Sequence, residues 1–338
     1  MFRIRIQNKK KCIWYCSAVV SFLLFLLLLG WTNHLANTQD AQQMAGRWSE
    51  KKDVAQISCF FSSKAEVTED TIQSFEYSLK NVLQEASITE TSENPSARLW
   101  VDAYSADGKI TLVNGKNTLD ANAIGIGGDF FMFHPLKLIT GSYFSGNDLM
   151  QDYCIIDQDA AWQLVGSNDV VGMTVYIGNV PHIVTGVVQR PDSRMDKAAG
   201  LNSTVVYVSY ETLSAYGTNN GINHYEIVMP NPVDEFAYSK VKEGIGIDEK
   251  NVEIVENSRR YSLPNRIKTI LAFGTRSMNG KAIIYPYWEN LARGYEDIIA
   301  LLTVFMLLLS LYPVVTVIWC FVHLSLIHIS EPTRRSYI

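Results

Sequence analysis

Few of the chain's reactive side chains stand at spacings that do chemistry. Its six histidines (His34, His134, His182, His224, His323 and His328) form no H-E-x-x-H or comparable ligand spacing. His134, just before Pro135, reads as a polar turn residue rather than a ligand. Gly125-Ile126-Gly127-Gly128 suggests a nucleotide loop, but G-x-G-x-x-G would need glycine at 130, which is Phe130; a bend before Phe130-Phe131 is the sounder account. Neither G-x-x-x-x-G-K-[ST] nor G-x-S-x-G occurs. Asp157/Asp159 and Glu296/Asp297 sit at expected helix ends, where capping explains them. Cys12, Cys16 and Cys320 lie in or beside apolar stretches, and Cys59 and Cys154 in strand-like runs, which favours two separate buried thiols. No catalytic, cofactor-binding or metal-ligating residue is therefore expected, nor an enzyme.

The residues best placed to matter lie beside an apolar stretch: Trp288, Glu289, Asn290 and Arg293 before it, and Pro313 within it. Their expected role is coupling. Pro313 lacks an N–H and should kink a helix or free a carbonyl. Tyr285, Tyr287 and Trp288 match an interfacial aromatic belt, or else pack on a domain.

Two uncharged runs, 12–31 and 298–322, are each long enough to cross a hydrocarbon core of about 30 Å as a helix. Arg3, Arg5, Lys9, Lys10 and Lys11 precede the first, and no Lys or Arg follows it until Arg47, so the N-terminus is expected in the cytoplasm and residues 32–297 outside. Arg334 and Arg335 agree with a return to the inside. Setting aside those seven basic residues and Glu331 leaves 22 Lys and Arg against 33 Asp and Glu, an acidic balance that repels nucleic acid.

Between the runs the expected fold is α+β: two β-α-β units with a strand-rich insert, beside transmembrane helices. Val54–Phe61 reads as a strand. Thr68 caps a helix whose apolar face is Ile72, Phe75, Leu79, Val82, Leu83 and Ala86. Ala97–Tyr104 is the next strand, with Asp107-Gly108 turning into another at 109–113. The second unit runs from the strand His224–Met229, through a helix capped by Asn231 with Pro232 first and Val233, Phe236, Ala237 and Val241 on one face, to the strand Asn251–Val255. In the insert, Asp157 caps a short helix ended by Gly166, and Gly178-Asn179 turns a hairpin. The expected segments are a basic end (1–11), a span (12–31), a stalk (32–50), the α/β part in two pieces (51–124 and 206–284) around the insert (125–205), a juxtamembrane stalk (285–297), a second span (298–322) and a tail (324–338).

That order resembles the MacB/FtsX-type ABC-transporter permeases with a MacB-like periplasmic core domain. Gly128-Asp129-Phe130-Phe131 with Gly141-Ser142-Tyr143-Phe144 is similar to one family stretch. The run Ile155-Ile156-Asp157 with Ala161–Gly166 resembles another, and Gly172–Ile177 with Ile183–Val188 a third. Arg47-Trp48-Ser49 and Tyr287-Trp288-Glu289-Asn290 resemble Firmicutes members. The resemblance implies a permease that forms a homo- or heterodimer with a second permease and works with a separate ATPase. ATP would bind there and not on this chain, and closure inside would be transmitted to the outer domain. Family members have four spans against the two seen here, and Leu324–Ile338 resembles translated adapter read-through, so the chain is expected to be truncated. The alternative is a membrane-anchored sensor or adaptor whose outer domain binds a peptide, lipid or cell-wall enzyme.

Overall fold

A computed structural model describes residues 2–49, 53–89, 98–276 and 281–330. The chain divides into two compact units. One holds residues up to 38, 266–273 and those from 295; the other holds 39–265 and 274–294.

The first unit contains most of two long helices, α1 (Phe2–Asn37) and the last helix of the chain (Tyr287–Ser330). The ranges Cys12–Asn37 and Tyr287–His323 each hold an 18-residue apolar window, with mean hydropathies of 2.5 and 2.6. Large apolar side chains such as Leu27, Phe305 and Val317 are exposed within them, unlike those of a core helix, and both are long and apolar enough to cross a membrane. The rings of Trp14 and Trp319 meet edge to face at 5.0 Å, and Ser17 Oγ is 2.8 Å from the Tyr312 hydroxyl. Pro313 frees the Leu309 carbonyl one turn earlier, and Ser21 Oγ of α1 donates to that oxygen at 2.8 Å. Ser21→Ala should therefore cost about 0.6–2 kcal/mol in lipid or detergent. Pro313→Ala, which restores the N–H, should erase most of that cost in a double-mutant cycle followed by denaturant unfolding.

The second unit is built on one 11-stranded sheet. A 3₁₀ turn (Asp40–Gln42) and α2 (Met44–Trp48) lead into β1 (Val54–Phe61), α3 (Glu69–Glu85), β2 (Val101–Asn114) and β3 (Asn117–Gly128). Next come α4 (Phe130–Phe133), β4 (Lys137–Gly141), β5 (Tyr153–Asp157), α5 (Gln158–Leu164), β6 (Thr174–Ile177) and β7 (Val180–Gln189). The chain continues through α6 (Arg194–Ala199), β8 (Val205–Ser209), α7 (Tyr210–Tyr216), β9 (Thr218–Asn219) and β10 (His224–Pro230). It closes with α8 (Phe236–Gly244), β11 (Val252–Glu256), α9 (Leu263–Leu271) and α10 (Tyr287–Ser330).

The two β-α-β units interleave. The strand order β11-β1-β10-β2 is antiparallel throughout, so each unit's two strands are parallel to each other with a strand of the other unit between them. Period-2 alternation sorts β1. Ala55, Ile57, Cys59 and Phe61 face a core with Ile72, Phe75, Leu79, Leu83, Ala237 and Val241, which leaves Gln56, Ser58 and Phe60 to the opposite face. Cys59 and Cys154 are buried, free, and in separate cores.

The strand-rich part is a closed ring. From β2 the pairing runs through β3, β8, β5 and β7 to β6, which pairs back to β2. Ile110, Leu112, Val175, Val184 and Val206 fill its core. Asp157 Oδ1 caps α5 at Ala160 N (2.8 Å), and Gly178 and Asn179 both take positive φ in the β6–β7 turn.

Several expectations are corrected. Residues 106–124 belong to the ring as well as to the first β-α-β unit, because the long β2–β3 hairpin serves both, so 125 is not its start. Asp107-Gly108 does not turn. Asn223 bonds Asp107 at backbone and side chain, and a Cβ on Gly108 would lie 2.3 Å from the Thr218 carbonyl, so glycine there admits β9. The turn comes at Gly115, where φ is +60°. Helix α8 begins at Phe236 instead of Pro232 and leaves Val233 exposed, yet Asn231 Oδ1 still accepts from Ala237 N at 3.0 Å. Ala86 lies past the end of α3 and is exposed. The stretch 32–49 is neither one continuous stalk helix nor a free linker: α1 ends at Asn37, and Met44 and Ala45 are buried on the domain. The stretch from 287 is the start of α10 itself. Ala97 and the tail beyond 330 lie outside the described residues.

Candidate functional site

The face of β1 that carries Gln56, Ser58 and Phe60 is mostly polar, and buried polar groups require partners. Antiparallel register sets Ser58 opposite Glu226 and Phe60 opposite His224 on β10. Ser58 Oγ donates to Glu226 Oε1 at 2.5 Å and accepts from Asn257 Nδ2 at 2.6 Å. Asn257 Oδ1 accepts from Arg260 Nη1 at 3.1 Å. Arg260 then forms a two-pronged pair with Glu289 in the first turn of α10, at 2.6 and 2.8 Å, and Arg293 Nε reaches Glu289 from one turn on at 2.6 Å. Ser58, Glu226, Asn257, Arg260 and Glu289 are all 5% exposed or less, so the sheet is joined to α10 by an unbroken buried polar chain.

Its charges are matched. Burial alone would raise the carboxyl pKa of Glu289; Arg260 and Arg293 outweigh it and hold the group below the usual range. At the other end burial likewise opposes ionisation of Glu226, and the adjacent His134 and His224 hold its carboxyl low. Burial pushes the His134 pKa down against the pull of Glu226.

The segment after α1 is fastened to the same face of β1. Gln56 Oε1 accepts from Met44 N at 2.9 Å and its Nε2 donates to the Ala41 carbonyl at 2.7 Å. Arg47 donates to the carbonyls of Met132 (2.8 Å) and Phe133 (3.3 Å) at the end of α4, and of Asp40 at 2.7 Å.

Four of the five residues marked from sequence come together here. Trp288 is buried against His134, with ring centroids 4.2 Å apart, and against His224 and Phe130. Glu289 holds Arg260. Asn290 donates to the carbonyls of Ala199 and Tyr285, both at 3.1 Å, and the Arg293 guanidinium lies 3.8 Å over the Tyr285 ring. Pro313 is not among them; it stands in the other unit, 20 residues beyond Arg293. The packing alternative for the aromatics holds: Trp288 and Tyr287 pack with the sheet's core, and Tyr285 meets Phe60 edge-on at 5.4 Å.

Sequence reasoning missed Ser58, Glu226, Asn257 and Arg260, and took His134 for a turn residue. It does follow α4, but it is buried beside Glu226. The available signal was polar residues inside otherwise apolar strands, Ser58 in VAQISCFF and Glu226 in HYEIVM. The glycine run 125–128 also has structural work. A Cβ on Gly125 would meet Leu213 at 2.7 Å, and one on Gly127 the Tyr104 ring at 2.0 Å.

The family model of the MacB-like periplasmic core domain matches residues 22–250. A macrolide export ATP-binding/permease protein MacB of Chromobacterium violaceum is 31% identical over 99 residues, which are 29% of this chain and 15% of that protein. The chain thus spans well under two thirds of the curated relatives it matches. The periplasmic region of MacB from Actinobacillus actinomycetemcomitans is 19% identical over 66% of this chain and 94% of that one, with a TM-score of 0.40. The extracellular domain of the noncanonic ABC-type transporter YknZ from Gram-positive bacteria is 18% identical over 59% of this chain and 99% of that one, with a TM-score of 0.38.

Proposed function

From the premise that this chain belongs to the MacB-like periplasmic core domain family, we propose that it is a permease subunit of an ABC transporter. It couples ATP hydrolysis by a separate cytoplasmic ATPase to movements of its extracytoplasmic domain, for export or mechanotransmission. The N-terminus is cytoplasmic, residues 32–297 lie outside, and a second permease, identical or not, completes a dimer. ATP binds the partner ATPase.

One observation supports coupling above all. Gln56 and Ser58, two residues apart on β1, fasten the segment following α1 and, through Asn257 and Arg260, the first turn of α10. Motion of either helix therefore acts on one strand through groups that tolerate little slack. A buried ion pair is costly to separate, and packed interiors pass displacement on instead of absorbing it.

The test is hydrogen exchange of the full-length protein assembled in lipid with the ABC ATPase of its own locus, with ATP and with a non-hydrolysable analogue. Protection should change between the two states in β1 and at residues 287–293. Unchanged exchange there, with the ATPase demonstrably bound and cycling, would reject coupling through this face. Failure to bind any ATPase would favour the sensor or adaptor.

A further inference from the structure

We infer that His134, His224 and Glu226 form a binding site for a divalent transition-metal ion, Zn²⁺ first, inside the extracytoplasmic domain. Their ligand atoms lie within 4.8 Å of one another. They come from two elements of the fold: His134 from the end of α4, and His224 and Glu226 from alternate positions on one face of β10. Tetrahedral zinc with bonds of about 2.0–2.2 Å sets its donor atoms about 3.3 Å apart, so small side-chain shifts complete the set.

The hydrogen bonding points the same way. His134 Nε2 is 2.8 Å from Glu226 Oε2, and His224 Nε2 is 3.5 Å from Oε1, but His134 Nε2, His224 Nε2 and Glu226 Oε2 all lack an aligned hydrogen-bond partner among the described residues. All three residues are 4% exposed or less. Three convergent buried polar atoms that face only one another without aligned hydrogen bonds are costly unless something satisfies them together.

The surroundings suit a cation. His224 Nδ1 lies 3.3 Å from Ser105 Oγ, so donation there leaves Nε2 as a lone pair facing the cluster. Glu226 Oε1 is already held by Ser58, which leaves Oε2 for the metal. A metal takes both imidazoles as neutral ligands, so in the bound form the carboxylate's negative charge falls to the ion. The guanidinium of Arg47 is engaged with backbone carbonyls, and a divalent ion would neutralise that charge at the centre of the donor set. Two nitrogens and one oxygen suit borderline ions over Mg²⁺ or Ca²⁺. Three protein donors leave the fourth position to a water, and Trp288 and Phe130 cover the site, where the ion would join the sheet to α4 beneath the first turn of α10.

The full chain is to be expressed in zinc-supplemented medium, purified in detergent without a polyhistidine tag, and its metal measured by plasma mass spectrometry. About one equivalent of zinc per chain is expected, with Co²⁺ grown in its place giving visible d–d absorption of a four-coordinate site. His224→Gln and Glu226→Gln should each remove the metal, and Ser105→Ala, which keeps all ligands, should weaken binding at least about 10-fold against a competing chelator. Ser105→Ala is the variant least expected to disturb folding, and its affinity decides the case if the ligand variants misfold. Wild-type protein without zinc, zinc retained undiminished in folded His224→Gln, or unaltered affinity in Ser105→Ala overturns the proposal. So does a spectrum of octahedral, water-bound cobalt. None of these readouts depends on transport.

Discussion

Glu289→Gln should destabilise the domain by about 3–5 kcal/mol, the usual cost of removing one partner from a buried ion pair. Side-chain exposures of 2% for Arg260 and 1% for Glu289 mean that solvent cannot take over when the carboxylate is lost. Glutamine keeps an acceptor for one guanidinium N–H but removes the negative charge that Arg260 and Arg293 share. Urea unfolding of the purified protein followed by tryptophan fluorescence measures this; a loss under about 1 kcal/mol would mean the pair is solvated. Replacing both partners with apolar residues (Arg260→Met with Glu289→Leu) should recover most of the loss, since an apolar pair of similar volume has no desolvation penalty to offset.

The pH dependence has a definite sign. Burial raises the Glu289 carboxyl pKa, but Arg260 and Arg293 prevail and the folded value lies below the unfolded one of about 4.3. The stability this group contributes is therefore fully present above that unfolded value and is lost as pH falls through the folded one. In Glu289→Gln that part of the acid limb of the stability profile should be absent.

Trp288→Ala should cost about 3–5 kcal/mol as well, through the cavity left between α10 and the sheet. The indole is 4% exposed and packs against Phe130, His134 and His224, while its Nε1 has no hydrogen-bond partner among the described residues. Trp288→Phe retains most of the packing and loses no hydrogen bond, so its cost should be a fraction of the alanine variant's. In the assembled transporter the alanine variant should transport about tenfold less per ATP hydrolysed, a loss of about 1.4 kcal/mol in coupling, with ATPase turnover persisting. Equal coupling in Trp288→Ala and wild type would overturn the proposed coupling through the first turn of α10.

Much of this molecule is legible from local pattern. The apolar stretches of α1 and α10 are set by composition, since only a lipid or buried environment accommodates such lengths without charge. The bounds of β1, the Thr68 cap of α3, the Asp157 cap of α5 and the Gly178-Asn179 hairpin follow from alternation, caps and turn chemistry, which act over a few residues. That 288–293 stand out is visible in the sequence as charged and aromatic residues beside an apolar run. Their partners are not. Asp107-Gly108 misled because a glycine required for close approach looks, in sequence, the same as a glycine required for a turn.

By itself, then, the sequence determined many of the helices and strands, the apolar faces of several of them, and that two helices suit a membrane. Tertiary structure alone decided that β2 and β3 close a ring, that Ser58 sits opposite Glu226, that Arg260 pairs with Glu289, and that His134 joins two groups on β10 some 90 residues away. Side-chain periodicity is a property of neighbouring residues, whereas register and ring closure depend on which distant strands pair, and no spacing along the chain encodes that choice.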